Sequence, residues 1–258
     1  MEKNQEFARN IRKNILLSAF KAGANGAHVA PSLSCVEILT AVYANVLKTE
    51  NDGHFILSKG HAGLAFYAAL REAGWISQKD FDSFEENGGD FPGQPSKNIK
   101  KHIEFSGGSL GMGLSYGIGL AIGSSQKVIV LIGDGEANEG SIWEASMFAG
   151  YNDLSNLTVI VDFNGMQADG FSCDILSVDA RKMWEACGWE VVVCDGHKTD
   201  EITKALMKEH KKPLVVIAKT IKGKGVSFME NNRDWHHARL TEKQKEAALA
   251  EVEAGYGF

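Results

Sequence analysis

The chain has 258 residues, 44% of them hydrophobic, and a formal net charge of −6. That length buries a substantial core and lies at the upper end for one domain, and the mild acidity gives no basic footprint of a nucleic-acid binder. No stretch reaches membrane-spanning length, the first residues lack a signal peptide's apolar core, and Cys35, Cys173, Cys187 and Cys194 share no CxxC spacing, so a reduced, cytoplasmic setting is expected.

An amphipathic helix is expected over 5–23, with Ile11, Ile15, Leu16 and Phe20 on one face and Arg9, Arg12 and Lys13 on another. A loop carrying His28 then opens a helix over 34–46, with Ser32 or Ser34 as its N-cap and Glu37 near its first turn. A short strand over 54–57 ends at Ser58-Lys59-Gly60-His61, and a buried, Ala- and Leu-rich helix follows over 62–73. A histidine at a strand-to-helix junction can donate to a phosphate oxygen while the helix N-terminus adds partial positive charge.

Residues 87–105 are rich in Gly, Pro, Asn and Lys and are expected to be irregular. Irregular loops of that length inside a compact domain are usually functional. The glycine run over 107–113 leads into a helix over 114–122. Its spacing is not GxGxxG, and neither a preceding strand nor a later ribose-binding acid accompanies it, which argues against a dinucleotide fingerprint.

Residues 128–132 (VIVLI) are apolar at every position, as in a strand covered on both faces of a parallel sheet. The run breaks at Gly133-Asp134-Gly135, a helix is expected over 140–151, and a second strand over 157–163 breaks at Asn164-Gly165. This βαβ unit puts Asp134 and Asn164 at the carboxyl ends of two strands, the edge where open α/β sheets bind ligands. Taken singly, Asp134 reads as a solvated loop acid and Asn164 as a turn former. Taken together, a carboxylate and an amide oxygen suit Mg²⁺ or Ca²⁺, and the backbone amides after Gly135 favour an anion, so the pair reads as a diphosphate–metal site. Glu139 and Glu144 complement the dipole of the following helix on one reading.

The remainder alternates: helix 179–187, strand 190–194, helix 199–209, strand 213–219, then Lys222-Gly-Lys224-Gly, Trp235-His236-His237 and a last helix over 241–254. Such alternation predicts an α/β fold, a three-layer, doubly wound, mostly parallel sheet in a single domain over 1–258.

Gly133-Asp134-Gly135, a spacer of 28 residues and then Asn164 resembles the thiamine diphosphate signature, with Phe163 where its first Asn usually stands. Ser58-Lys59-Gly60-His61-Ala62, Gly108-Ser109-Leu110-Gly111 and Lys222-Gly223-Lys224-Gly225 followed by Trp235-His236 narrow the resemblance to transketolase. It covers nearly the whole chain but only the N-terminal half of an ordinary transketolase, as in the N-terminal subunit of a split enzyme. The resemblance implies a thiamine diphosphate-binding fold of the diphosphate-binding type. It implies metal ligation by Asp134, Asn164 and the Met166 carbonyl. His61 would be a diphosphate or active-site contact, His236 would reach the diphosphate, and Gly133, Gly135, Glu136 and Asn164 would contact the cofactor. Gly108 and Leu110 would present backbone groups to the aminopyrimidine, and Ala168 would flank the thiazolium ring, where a bulkier aliphatic is usual. His28 would face the donor sugar.

Three further positions depart from the family pattern. Gln94 stands in Phe91-Pro92-Gly93-Gln94-Pro95 where a histidine normally bonds the ketose hydroxyls; an amide still donates and accepts but moves no proton at neutral pH. Met112 stands where Gln is usual, and His237 where Gly is usual, which leaves open which of His236 and His237 contacts the diphosphate. Glu139 and Glu144 would alternatively lie at the subunit interface that links two active sites.

The family's catalytic glutamate and pyrimidine-binding domain belong to the second half of the polypeptide. The resemblance therefore implies a separate C-terminal subunit, an α₂β₂ assembly and two-carbon ketol transfer from a ketose to an aldehyde. Two other readings remain: a related enzyme that decarboxylates a 2-oxo acid and transfers the acyl unit, and a non-catalytic binding or regulatory subunit. No nucleic acid or membrane partner is expected.

Overall fold

The computed structural model describes residues 2–256. In chain order the helices and strands are α1 (Glu2–Lys21), α2 (Val29–Ser34), α3 (Val36–Thr40, running on into a π-type turn over Ala41–Val46), β1 (Gly53–Leu57), α4 (Gly63–Glu72), α5 (Gln78–Asp82), α6 (Met112–Gly123), β2 (Lys127–Gly133), α7 (Gly140–Tyr151) and β3 (Leu157–Phe163). Then follow α8 (Ser172–Ile175), α9 (Ala180–Ala186), β4 (Glu190–Asp195), α10 (Thr199–Leu206), β5 (Leu214–Lys219) and α11 (Glu242–Glu253).

The five strands form one sheet in the order β1-β2-β3-β5-β4, and every pair is parallel. Parallel neighbours need crossover helices, which cover both faces and account for the unbroken apolar runs. Side chains alternate between the two sides. In β2, Ile129 and Leu131 join the layer of α1–α4, α10 and α11, while Val128, Val130 and Ile132 join that of α6, α7 and α9. All five of these side chains are buried. Gly133 pairs with Asp162 and Asp162 with Ala218, so β2, β3 and β5 end in step and their following residues emerge at one edge.

The N-terminal region differs from the sequence expectation. The helix expected from residue 34 begins at Val29 and is broken at Cys35, so Ser32 and Ser34 are interior and buried rather than capping. Pro31, at the third position of α2, is tolerated because its missing N–H falls in the first turn. Arg12 is not on a solvated face: its side chain is 0% exposed and pairs with Glu37, which therefore does not serve as a first-turn surface acid. The 87–105 stretch is irregular apart from a short helical turn over Ile99–Lys101, closed by the Asn98–Ile103 bridge. Among the described residues no helix is long and apolar enough to cross a membrane. All four cysteines are free.

α6 is apolar nearly all round, yet Met112 and Ile122 on it are exposed, as are Met147, Phe148 and Tyr151 on α7. A helix of that composition is normally covered on every side. Phe171, Ile175, Leu176 and Val178 extend the exposed apolar surface beyond α7.

Candidate active site

Asp134 and Asn164 follow directly on β2 and β3, adjacent strands, as the βαβ reading expected. Asp134 is buried. One of its oxygens accepts from the Gly135 amide at 2.9 Å, and the other from the Gly165 amide at 2.7 Å and the Ser172 hydroxyl at 3.1 Å. Asn164 accepts the Met166 amide on Oδ1 at 3.1 Å, while its Nδ2 donates to Ser34 Oγ at 3.2 Å and lies 3.5 Å from Asp162. The amide is thereby oriented: nitrogen towards the core, oxygen towards the turn that carries Met166.

Beneath this edge lies a buried ion pair that sequence reasoning missed. Lys59 donates to Asp162, and their side chains are 1% and 0% exposed. Asp162 also accepts from Ser34 Oγ at 2.7 Å and from Thr220 Oγ1. Burial is the largest influence and works against both charges, but the neighbouring groups together outweigh it, lowering the Asp162 pKa and raising that of Lys59.

Four histidines from three segments meet in one cluster. His28 lies 4.6 Å from His237, 5.4 Å from His236 and 5.9 Å from His61, and His61 lies 5.5 Å from His236, measured between ring centres. His236 thus neighbours both predicted site histidines, while His237 is exposed and backs onto His28. Burial, then His237 and Lys222, lowers the His28 pKa to about 4. Burial and Lys222 lower His236 to about 3, and burial and Lys59 hold His61 well below the ordinary imidazole value. All three are neutral at pH 7.

Lys222, 2% exposed, is close enough to interact electrostatically with His28, His61 and His236 and with Asp134 and Asp162. Its ammonium donates to the Gln167 carbonyl at 3.3 Å, and burial, followed by the nearness of Lys59, lowers its pKa to about 8.

The other expected residues divide between the site wall and its frame. Gly108 and Leu110 are exposed on the loop before α6. Gln94 is exposed beside Gly108, its Oε1 only 2.7 Å from where a Cβ on Gly108 would lie. Ala168 is exposed on the turn after Met166. The side chain of Glu136 faces inwards, accepting the Gly111 amide at 2.8 Å, the Gly133 amide at 3.2 Å and the Ser58 hydroxyl at 2.5 Å. What Glu136 can offer a ligand is therefore its backbone amide. Glu139 and Glu144 are both exposed, and Glu139 makes no side-chain cap on α7.

The residues present fit a divalent cation with a diphosphate. His236 Nδ1 is buried without a hydrogen-bond partner among the described residues. Burial and then Asp162 push Asp134 up to about 6, so a cation beside it would stabilise the carboxylate, and Lys222, lowered to about 8 yet still mainly charged at pH 7, would be stabilised by an anion. Asp134, the Asn164 oxygen and the Met166 carbonyl form an all-oxygen set of the kind Mg²⁺ accepts alongside phosphate oxygens.

Comparison with known proteins agrees with this geometry. The family profile described as transketolase, thiamine diphosphate binding domain, matches residues 4–258. The chain is 39% identical to an apulose-4-phosphate transketolase subunit of Actinobacillus succinogenes over 260 residues, 95% of this chain and 94% of the relative. It is 38% identical to a 6-deoxy-6-sulfo-D-fructose transketolase subunit of Clostridium sp., over 96% of each chain. The structure superposes on the transketolase of Campylobacter jejuni with a TM-score of 0.87 and 28% identity, covering 99% of this chain and 43% of that one. The chain thus spans less than half of that full-length transketolase. It belongs to the transketolase family, a family of transferases, as the N-terminal, thiamine diphosphate-binding part, and it resembles in extent the subunits of split transketolases.

Proposed function

We propose that residues 1–258 form one thiamine diphosphate-binding domain that works with a separate C-terminal subunit, in an α₂β₂ heterotetramer, to move a two-carbon ketol unit from a ketose to an aldehyde. The observation that carries this reading is the convergence of His28, His61, His236 and Lys222 on the edge where Asp134 and Asn164 emerge. Thiamine diphosphate, when bound, supplies the carbanion chemistry of ketose cleavage.

This chain's residues bind and orient. Asp134, Asn164 and the Met166 carbonyl hold Mg²⁺, with Ca²⁺ as a substitute. The backbone amides at Gly135 and Glu136, with His61, His236 and Lys222, take the diphosphate. Gly108 and Leu110 present backbone to the pyrimidine, and Ala168 leaves space beside the thiazolium. His28 and Gln94 face the sugar. A neutral imidazole at His28 can accept a hydrogen bond from a ketose hydroxyl, and the Gln94 amide can both accept and donate one. The C-terminal subunit supplies the glutamate and the pyrimidine-binding domain and covers the apolar surface of α6 and α7. The free cysteines suit a cytoplasmic setting.

The test is to co-purify the chain with a candidate C-terminal subunit, titrate thiamine diphosphate and Mg²⁺ calorimetrically, and analyse products from ketose and 2-oxo acid donors. Saturable, metal-dependent binding that Asp134→Ala abolishes, with ketol transfer and no CO₂, supports the proposal. CO₂ release from a 2-oxo acid donor would replace it with acyl transfer, and absence of binding in any combination would leave a non-catalytic subunit.

A further inference from the structure

The segment after β5 enters the site as a loop, yet Lys222 on it is almost fully buried. Three side chains far apart in the sequence surround its backbone. Arg12 grips Glu37 through two contacts, an ion contact from Nη1 to Oε1 at 2.6 Å and a hydrogen bond from Nη2 to Oε2 at 2.9 Å. His197 places Nδ1 3.1 Å from Glu37 Oε2, and its Nε2 accepts the Ile221 amide at 2.7 Å. An imidazole that accepts at Nε2 carries its proton on Nδ1, so Nδ1–H donates to the carboxylate and one tautomer is selected.

Arg12 Nε also donates to the Lys224 carbonyl at 3.2 Å. One buried carboxylate thus governs two grips on the backbone, at 221 and at 224, with Lys222 between them. The loop is shaped to receive them. Gly223 and Gly225 take φ of +84° and +93°, and a Cβ on Gly225 would lie 2.6 Å from Arg12 Nε. Two backbone bonds, Gly223 N–H to the Ala30 carbonyl and Asn231 N–H to the Lys222 carbonyl, complete the fixation. A buried Arg–Glu pair costs desolvation that apolar packing would avoid, so stability alone accounts poorly for it.

We propose that Arg12, Glu37 and His197 are positioning residues: through the backbone at 221 and 224 they set the place of the Lys222 ammonium in the active site. The proposal rests on the site reading above only for what Lys222 faces there, a diphosphate.

The experiment uses the ligand-free chain. Lysine acetylation by acetic anhydride is followed by mass spectrometry, with exposed Lys100 as internal standard. His197→Phe keeps a ring and removes the acceptor, whereas His197→Gln keeps an acceptor for the Ile221 amide. Lys222 labelling should rise about fivefold in His197→Phe, the scale of one lost hydrogen bond, and stay near wild type in His197→Gln. Inorganic pyrophosphate affinity should fall in the first variant and persist in the second. Equal labelling of Lys222 in wild type and His197→Phe, or an equal rise in both variants, overturns the proposal. If His197→Phe does not fold, hydrogen exchange of the wild-type Ile221 amide decides: slow exchange supports the clamp and loop-like exchange removes it. Failure of the wild type to bind pyrophosphate would count against the diphosphate reading, with the labelling result still deciding the clamp.

Discussion

The Lys59 ammonium and the Asp162 carboxylate form an ion pair closed to solvent directly below the carboxyl edge of the sheet, and Asp162 lies 3.5 Å from the Asn164 amide nitrogen. Their separation in sequence is 103 residues, so the pair ties the loop after β1 to the end of β3. Removing one partner of such a pair leaves an uncompensated buried charge. Lys59→Met should therefore cost about 3–5 kcal/mol in urea unfolding, and adding Asp162→Leu should restore much of that loss. A double variant no more stable than Lys59→Met would show that the pair does not carry this cost.

Glu37 gives a pH signature. Burial raises its pKa, but Arg12 and His197 outweigh burial and hold the carboxyl at about 2, against an ordinary 4.5. Between these values the unfolded state binds more protons, so stability rises with pH. The contribution is full above the ordinary value and is lost as pH falls towards 2. With the group almost fully buried, the shift corresponds to about 3 kcal/mol. Chemical unfolding of wild type and Glu37→Gln should diverge at pH 7 and converge as pH falls through 4 to 3.

The imidazoles respond in the opposite electrostatic sense to Lys222. His236 is held at about 3 by burial first and Lys222 second, so Lys222→Met should move its titration upward, read by nitrogen-15 NMR of the ring. A lowered histidine pKa stabilises the fold fully above the unfolded value of about 6.5 and loses that contribution as pH falls towards the folded value. Lys222→Met should therefore narrow the acid-sensitive window. An unchanged His236 titration would mean that Lys222 does not help to set it.

Two glycines with opposite surroundings test the packing of the second layer. A Cβ on Gly150, at the end of α7, would overlap the Cys187 carbonyl, whereas Gly119 on α6 has open space around it. Gly150→Ala should cost about 3 kcal/mol by overpacking, and Gly119→Ala should gain about 0.5–1 kcal/mol from helix propensity. Thermal melting of the two variants should therefore shift in opposite directions.

The sheet was legible because each central strand spells its burial in a run of adjacent apolar residues, and the site edge was legible because glycine and polar residues end those runs at Asp134 and Asn164. Buried charge was not. Arg12 falls on the polar stripe of a periodic helix, and Glu37 sits three residues after Ser34 in a pattern that also reads as a cap. Asp162 hides inside a strand run. In each case the deciding partner lies 25 or more residues away, outside any local window. Lys222 and Lys59 were visible only as motif members, since nothing in the sequence states that their ammonium groups are enclosed.

The uncovered apolar surface on α6 and α7 bears on the cell's supply of the enzyme. A chain synthesised in excess of whatever covers Met147, Phe148 and Tyr151 would keep those side chains in water and tend to aggregate. Output would then follow the scarcer component, so matched synthesis of the two would count for as much as the affinity between them.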